Sequence, residues 1–209
     1  MDISNRVISS FKWLASLKLL SQLITWGMTL LLYRILDSED FGLMAICTVF
    51  VSFLTLLTEL GLGAALVQKK DLDLKSKRQV LGLVTIFSVS IFLLLVVTAP
   101  LIAWFYEDPR LANMLRVLSF NFILMIFLVI PTAQLERDID FKKRSFVDLT
   151  AAVLGGTTQL ALAFSGFGVW SLVWGNLMIF TISAIGINII CPINCLPSFD
   201  FRGTRQLFT

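Results

Sequence analysis

The chain has 209 residues, 57% of them hydrophobic and 15% charged, whereas an ordinary soluble domain has about 25% charged residues and ~45–50% apolar ones. That balance excludes the soluble globular class and predicts an all-α polytopic membrane protein, because several uncharged runs reach the ~20 residues a helix needs to cross a hydrocarbon core. Histidine is absent and the net charge is +3; the first fact removes the commonest general base and metal ligand, and the second, spread over loops, gives no nucleic-acid-binding patch.

Six spans are predicted in chain order: residues 11–33, 41–68, 80–106, 115–135, 146–164 and 169–190. The first follows Lys12 and Lys18, as a secretory signal would, but YRILDSEDFG behind it has no small-residue cleavage site, so it is read as a retained helix. The third runs uncharged for about 40 Å at ~1.5 Å per residue, beyond the ~30 Å core, and has to tilt, kink or protrude. Pro100 there and Pro131 in the fourth span are the candidate kinks. After Ile190 the prolines and returning charge of CPINCLPSFDFRGTRQLFT end the helix. Cys191 and Cys195 lack the second ligand pair of a zinc site, and Cys47 lies in an apolar run, so no metal or other cofactor is expected.

Lysine and arginine set the expected orientation, since cytoplasmic loops retain them. Arg6, Lys12, Lys18, Lys69, Lys70, Lys75, Lys77, Arg78, Arg137, Lys142, Lys143, Arg144, Arg202 and Arg205 place 14 of the 17 basic residues on one side. Only Arg34, Arg110 and Arg116 fall on the other, Arg34 and Arg116 as interface anchors with long stems. Both termini are therefore expected in the cytoplasm.

Polar residues inside these spans line up. Lys18, Gln22, Thr25, Thr29 and Tyr33 recur at three- and four-residue steps, within about 80° of one helix face, and Thr48, Ser52, Thr55, Glu59 and Gly63 repeat the device in the second span. The fifth carries a weaker stripe of Asp148, Ala152, Gly155 and Gln159. Isolated serines and threonines in membrane helices often bond their own i−4 carbonyl or mediate packing. Two full-length seams holding a Lys, a Gln and a Glu point instead to a cavity. Glu59 lies about 7 Å from the middle of its span, inside a half-thickness of ~15 Å, and needs a partner, water or a proton. Lys18 is one possible partner, and a water-filled cavity hydrating both is the alternative.

Enzyme chemistry finds no support. GLGAAL starts a dinucleotide pattern, but Leu66 stands where the third glycine belongs and the preceding segment is no strand. The pairs Asp71/Asp73 and Asp138/Asp140 lie in lysine-rich loops and read as solvated charge. No Ser/His or Cys/His pairing exists without histidine.

Five segments in order, YRILDSEDFGL (33–43), TELGLGAALVQKKDLD (58–73), APLIAWFYEDP (99–109), IPTAQLERDIDFKKRS (130–145) and GFGVWSLVWG (166–175), resemble the successive signatures of bacterial polysaccharide exporters. The nearest type is the colanic-acid and teichuronic-acid exporter branch of the multidrug/oligosaccharidyl-lipid/polysaccharide superfamily. Arg34, Leu36 and Gly42 match the first motif, and Glu59, Gly61, Ala65 and Gln68 the second.

The resemblance implies a flippase in the bacterial inner membrane that moves polyprenyl-diphosphate-linked oligosaccharide between leaflets by alternating access of two six-helix lobes. It implies one lobe here, residues 1–190, with residues 191–209 a cytoplasmic linker to an absent second lobe or a homodimeric partner. Lys18, Gln22, Thr25, Thr29, Thr48, Ser52, Thr55, Glu59 and Gln159 are the expected substrate-binding or cavity-lining residues, with Glu59 the candidate for ion coupling. The expected partners are membrane lipid and the lipid-linked oligosaccharide, not nucleic acid. The rival readings are a small-molecule exporter of the same superfamily and a non-transporting remnant or assembly partner in polysaccharide biosynthesis.

Overall fold

The computed structural model describes residues 3–67, 74–137 and 141–192 with Pro197, and side chains over 16–58, 78–135 and 142–192. Glu59, Gly61 and Gly63 therefore have described backbone only, and the Asp71/Asp73 and Asp138/Asp140 pairs, Cys195 and the tail arginines lie outside the described residues.

Seven α-helices make up the described chain: α1 (Ile3–Leu32), α2 (Ser38–Val67), α3 (Leu74–Phe105), α4 (Arg110–Leu118), α5 (Phe120–Arg137), α6 (Phe141–Phe164) and α7 (Val169–Ile190). Five stretches are long and apolar enough to cross a membrane: Ser38–Thr58, Arg78–Phe105, Arg110–Leu135, Lys142–Phe164 and Val169–Ile190. A sixth, Ser16–Leu32 within α1, is apolar but shorter. The protein is thus an all-α polytopic membrane protein, in which helices satisfy the backbone polar groups that lipid leaves unsolvated.

The fourth span departs from its sequence prediction. It begins at Arg110 and breaks at Ser119, whose hydroxyl donates to Arg116 O at 2.6 Å. Arg110, Asn113 and Arg116 had interrupted the apolar run, but they fall on the exposed face of α4. Leu111, Met114, Leu115 and Leu118 form its buried face at helical spacing. Neither Pro100 nor Pro131 ends its helix.

Contacts divide the chain into two compact units, Met1–Met44 with Gln134–Cys191 and Ala45–Ala133 with Pro192–Thr209. In the first, α6 and α7 form an antiparallel hairpin and α1 packs on α6. Small residues set these approaches. Ile179 sits over Gly155, Gln159 over Gly175 and Val147 over Gly186, three pairs spaced evenly about the turn at Phe167, while Met28 of α1 sits over Gly156. At the turn end Leu32, Leu36, Ala163 and Leu172 form an apolar cluster, and Tyr33 stacks on Phe41 at 4.1 Å. Cys191 Sγ donates to Gln134 Oε1 at 2.8 Å, tying the end of α7 to α5.

In the second unit α3 packs against α4. Val80 and Val84 of α3 meet Val129 and Ala133 of α5, and Phe92 meets Phe120 edge-on at 5.2 Å. Residues early in α3 thus pair with residues late in α5, which makes these helices antiparallel.

Candidate functional site

Each polar seam is built on one helix, and its place follows from that helix's packing stripe. On α1 the less exposed positions are Leu17, Ser21, Ile24, Met28 and Leu32. Lys18, Gln22, Thr25 and Thr29 are the next residue in each case, about 100° around the helix. Lys18, Gln22 and Thr25 are exposed and Thr29 is half-buried. On α2 the packing stripe is Cys47, Val51, Leu54 and Thr58, and Thr48, Ser52, Thr55 and Glu59 follow it by the same single step. Thr48 and Ser52 are exposed and Thr55 half-buried, while the Glu59 side chain, and with it any Lys18–Glu59 pair, lies outside the described residues.

The threonine protons stay within their own helices. Thr25 donates to Ser21 O at 2.9 Å, Thr29 to Thr25 O at 2.8 Å and Thr55 to Val51 O at 2.8 Å. Each hydroxyl oxygen keeps lone pairs for an incoming donor. These three threonines therefore offer acceptors to the seams, and Lys18 and the Gln22 amide are among the donors.

On α6 the stripe divides. Gly155 and Gln159 serve the contact with α7, the Gln159 stem lying over Gly175. Asp148 is exposed, and Arg144 Nε stands 3.9 Å from its Oδ2. Asp148 was legible as part of a weak stripe, but only the packing of α1 on α6 sets it at the level of Lys18. Among the described residues no group of three or more His, Cys, Asp or Glu side chains is arranged to hold a metal.

Between α3 and α4 an open groove of about 600 Å³ is lined in part by Pro100, Trp104, Phe105, Glu107 and Pro109. Trp104 and Phe105 are 79% and 73% exposed, as befits aromatics at a membrane–water interface. Beside it Arg110 Nη2 lies 2.7 Å from Asp108 Oδ2. The Arg110 side-chain hydrogen bond holds the Asp108 carboxyl below its usual range.

A family model described as "Polysaccharide biosynthesis protein" matches residues 31–209. The chain is 30% identical over 142 residues to the succinoglycan biosynthesis transport protein ExoT of Rhizobium meliloti, a match covering 68% of this chain and 29% of that protein. It is 29% identical over 171 residues to the lipopolysaccharide biosynthesis protein WzxC of Escherichia coli, covering 76% and 32%. Over 215 aligned residues it is 24% identical to the teichuronic acid biosynthesis protein TuaB of Bacillus subtilis, covering all of this chain and 44% of TuaB. The chain thus spans from under a third to under half of these relatives' lengths. No solved structure matches.

Proposed function

The chain belongs to the polysaccharide biosynthesis protein family, and we propose that it forms one lobe of a flippase carrying lipid-diphosphate-linked oligosaccharide across a bacterial inner membrane by alternating access. The observation that carries this reading is the geometry of the seams on α1 and α2. Each is a polar stripe set one residue past its packing stripe. Facing lipid, the α1 stripe would leave Lys18 and the Gln22 amide unsolvated, and the α2 stripe the Glu59 carboxyl; both suit the wall of a water-filled passage.

In this reading Lys18 attracts the diphosphate as a point charge. Gln22, Thr25, Thr29, Thr48, Ser52 and Thr55 exchange hydrogen bonds with sugar hydroxyls as the head group passes. Glu59 couples a proton or cation to the rocking motion, and Gln159 braces α6 on α7. A second six-helix lobe, in the same polypeptide or from a second copy, closes the passage. Both termini face the cytoplasm, where the basic loops stay. The relatives, two of them polysaccharide biosynthesis proteins and one a biosynthesis transport protein, support a polysaccharide unit over a drug as cargo.

Translocation of a labelled lipid-linked oligosaccharide in membrane vesicles tests this with the full-length protein. Lys18→Ala and Glu59→Gln are each expected to slow transport about tenfold, the effect of ~1.4 kcal/mol of lost interaction. Wild-type rates in both variants would remove the site assignment, and absence of translocation by the wild type would remove the flippase reading.

A further inference from the structure

Helices α1 and α6 lie in register. Met28 sits over Gly156, and four residues further along each helix Leu32 and Leu160 belong to one apolar cluster. Pairs that advance together mark parallel helices. Counting back, Lys18 lies about 15 Å below Met28 and Asp148 about 12 Å below Gly156, at ~1.5 Å per residue. The two charges therefore occupy nearly the same level of the two parallel helices. One turn before Asp148 on α6, Arg144 Nε lies 3.9 Å from the same carboxylate.

Asp148 thus has one cation a turn before it on α6 and a second at its level on α1, and its side chain is 53% exposed. Lys18 is exposed as well and begins the α1 seam. The partners of a sealed structural ion pair would both be buried; these two side chains are both open to a competitor. We propose that Lys18 and Asp148 form an exchangeable pair, in which Asp148 holds the lysine ammonium while the seam is empty and a lipid diphosphate displaces the carboxylate to take it.

Arg144 makes the exchange feasible. A carboxylate stripped of its partner is costly, and Arg144 remains beside Asp148 when Lys18 leaves. The diphosphate wins through its higher charge, and Asp148 reclaims the ammonium when the lipid departs. Asp148 is in this sense a positioning residue for release. The inference rests on the flippase reading of these helices.

Binding of farnesyl diphosphate to the full-length protein in nanodiscs, with farnesol as the uncharged control, tests it. Asp148→Asn is expected to tighten binding about two- to fivefold, the range of an exposed ion pair. Lys18→Ala is expected to weaken it, and adding Asp148→Asn to Lys18→Ala to change nothing further. Asp148→Glu, which keeps the charge, is expected to bind as wild type and controls for folding. Unchanged or weaker binding by Asp148→Asn, or equal tightening with and without Lys18, overturns the inference alone. A wild-type protein that fails to bind the diphosphate overturns the flippase reading as well.

Discussion

Replacing Glu107 by glycine is expected to stabilise the chain, and a second helix end supplies the comparison. At the end of α6, Gly166 N–H donates to Ala163 O at 3.0 Å and Phe167 N–H to Leu162 O at 3.1 Å, with Gly166 at φ +80°. At the end of α3, Glu107 N–H donates to Trp104 O at 3.3 Å and Asp108 N–H to Ala103 O at 3.1 Å, with Glu107 at φ +57°. Both are Schellman motifs, whose left-handed position usually carries glycine. A residue with a Cβ loses ~1–2 kcal/mol in that conformation. Glycine in its place gives back roughly 0.5–1 kcal/mol through its freer unfolded chain. Glu107→Gly should therefore stabilise by about 0.5–1 kcal/mol, and Gly166→Ala should destabilise by a similar amount. In a chain of this size ~1 kcal/mol moves Tm by about 2–4 °C. Thermal unfolding of both variants in detergent reads the two shifts, with opposite signs expected. A lower Tm for Glu107→Gly would refute the reasoning and show that the Glu107 side chain, at the edge of the α3–α4 groove, contributes more than its backbone costs.

Gly156→Leu places a branched side chain where Met28 already lies and is expected to destabilise by ~1–3 kcal/mol; Met28→Ala in the same chain should recover part of the loss in a detergent melt. Ser88 Oγ is fully buried and makes no hydrogen bond among the described residues, so Ser88→Ala is expected to raise stability by about 1 kcal/mol, visible as a higher Tm. Because Arg110 lowers the Asp108 carboxyl from its ordinary 3.8, their pair stabilises the fold fully above that value and loses its contribution as pH falls through the lowered one. The Tm difference between wild type and Arg110→Gln should then be constant near neutrality and shrink on acidification; a difference that widened would refute the assignment.

The end of α6 and the start of α7 were legible because GFG interrupts two apolar runs with glycines that the turn requires, Gly166 and Gly168 both having positive φ. The break at Ser119 was not, since a serine in an apolar run has the same appearance whether its hydroxyl bonds back one turn or ends a helix. The start of α4 was hidden by three polar residues that interrupt hydropathy without interrupting periodicity: Leu111, Met114, Leu115 and Leu118 kept the helical spacing throughout. Glu107 carried no sign of its left-handed backbone, because glutamate is not a residue that such positions select.

The candidate site divides along the same line. A seam is a property of a single helix, so three- and four-residue spacing revealed Lys18, Gln22, Thr25 and Thr29 before any packing was known. What a seam residue meets depends on register between helices more than a hundred residues apart in sequence, and here that register is set by an absence, the missing Cβ of Gly156 under Met28. Asp148, Gly155 and Gln159 share one stripe by spacing, yet α6 has two neighbours. Gly155 and Gln159 go to α7, and Asp148 lies level with Lys18 of α1. Spacing suggested Glu59 as a partner for Lys18, and that side chain lies outside the described residues; the register of α1 on α6, which no single helix encodes, sets Asp148 at the level of Lys18.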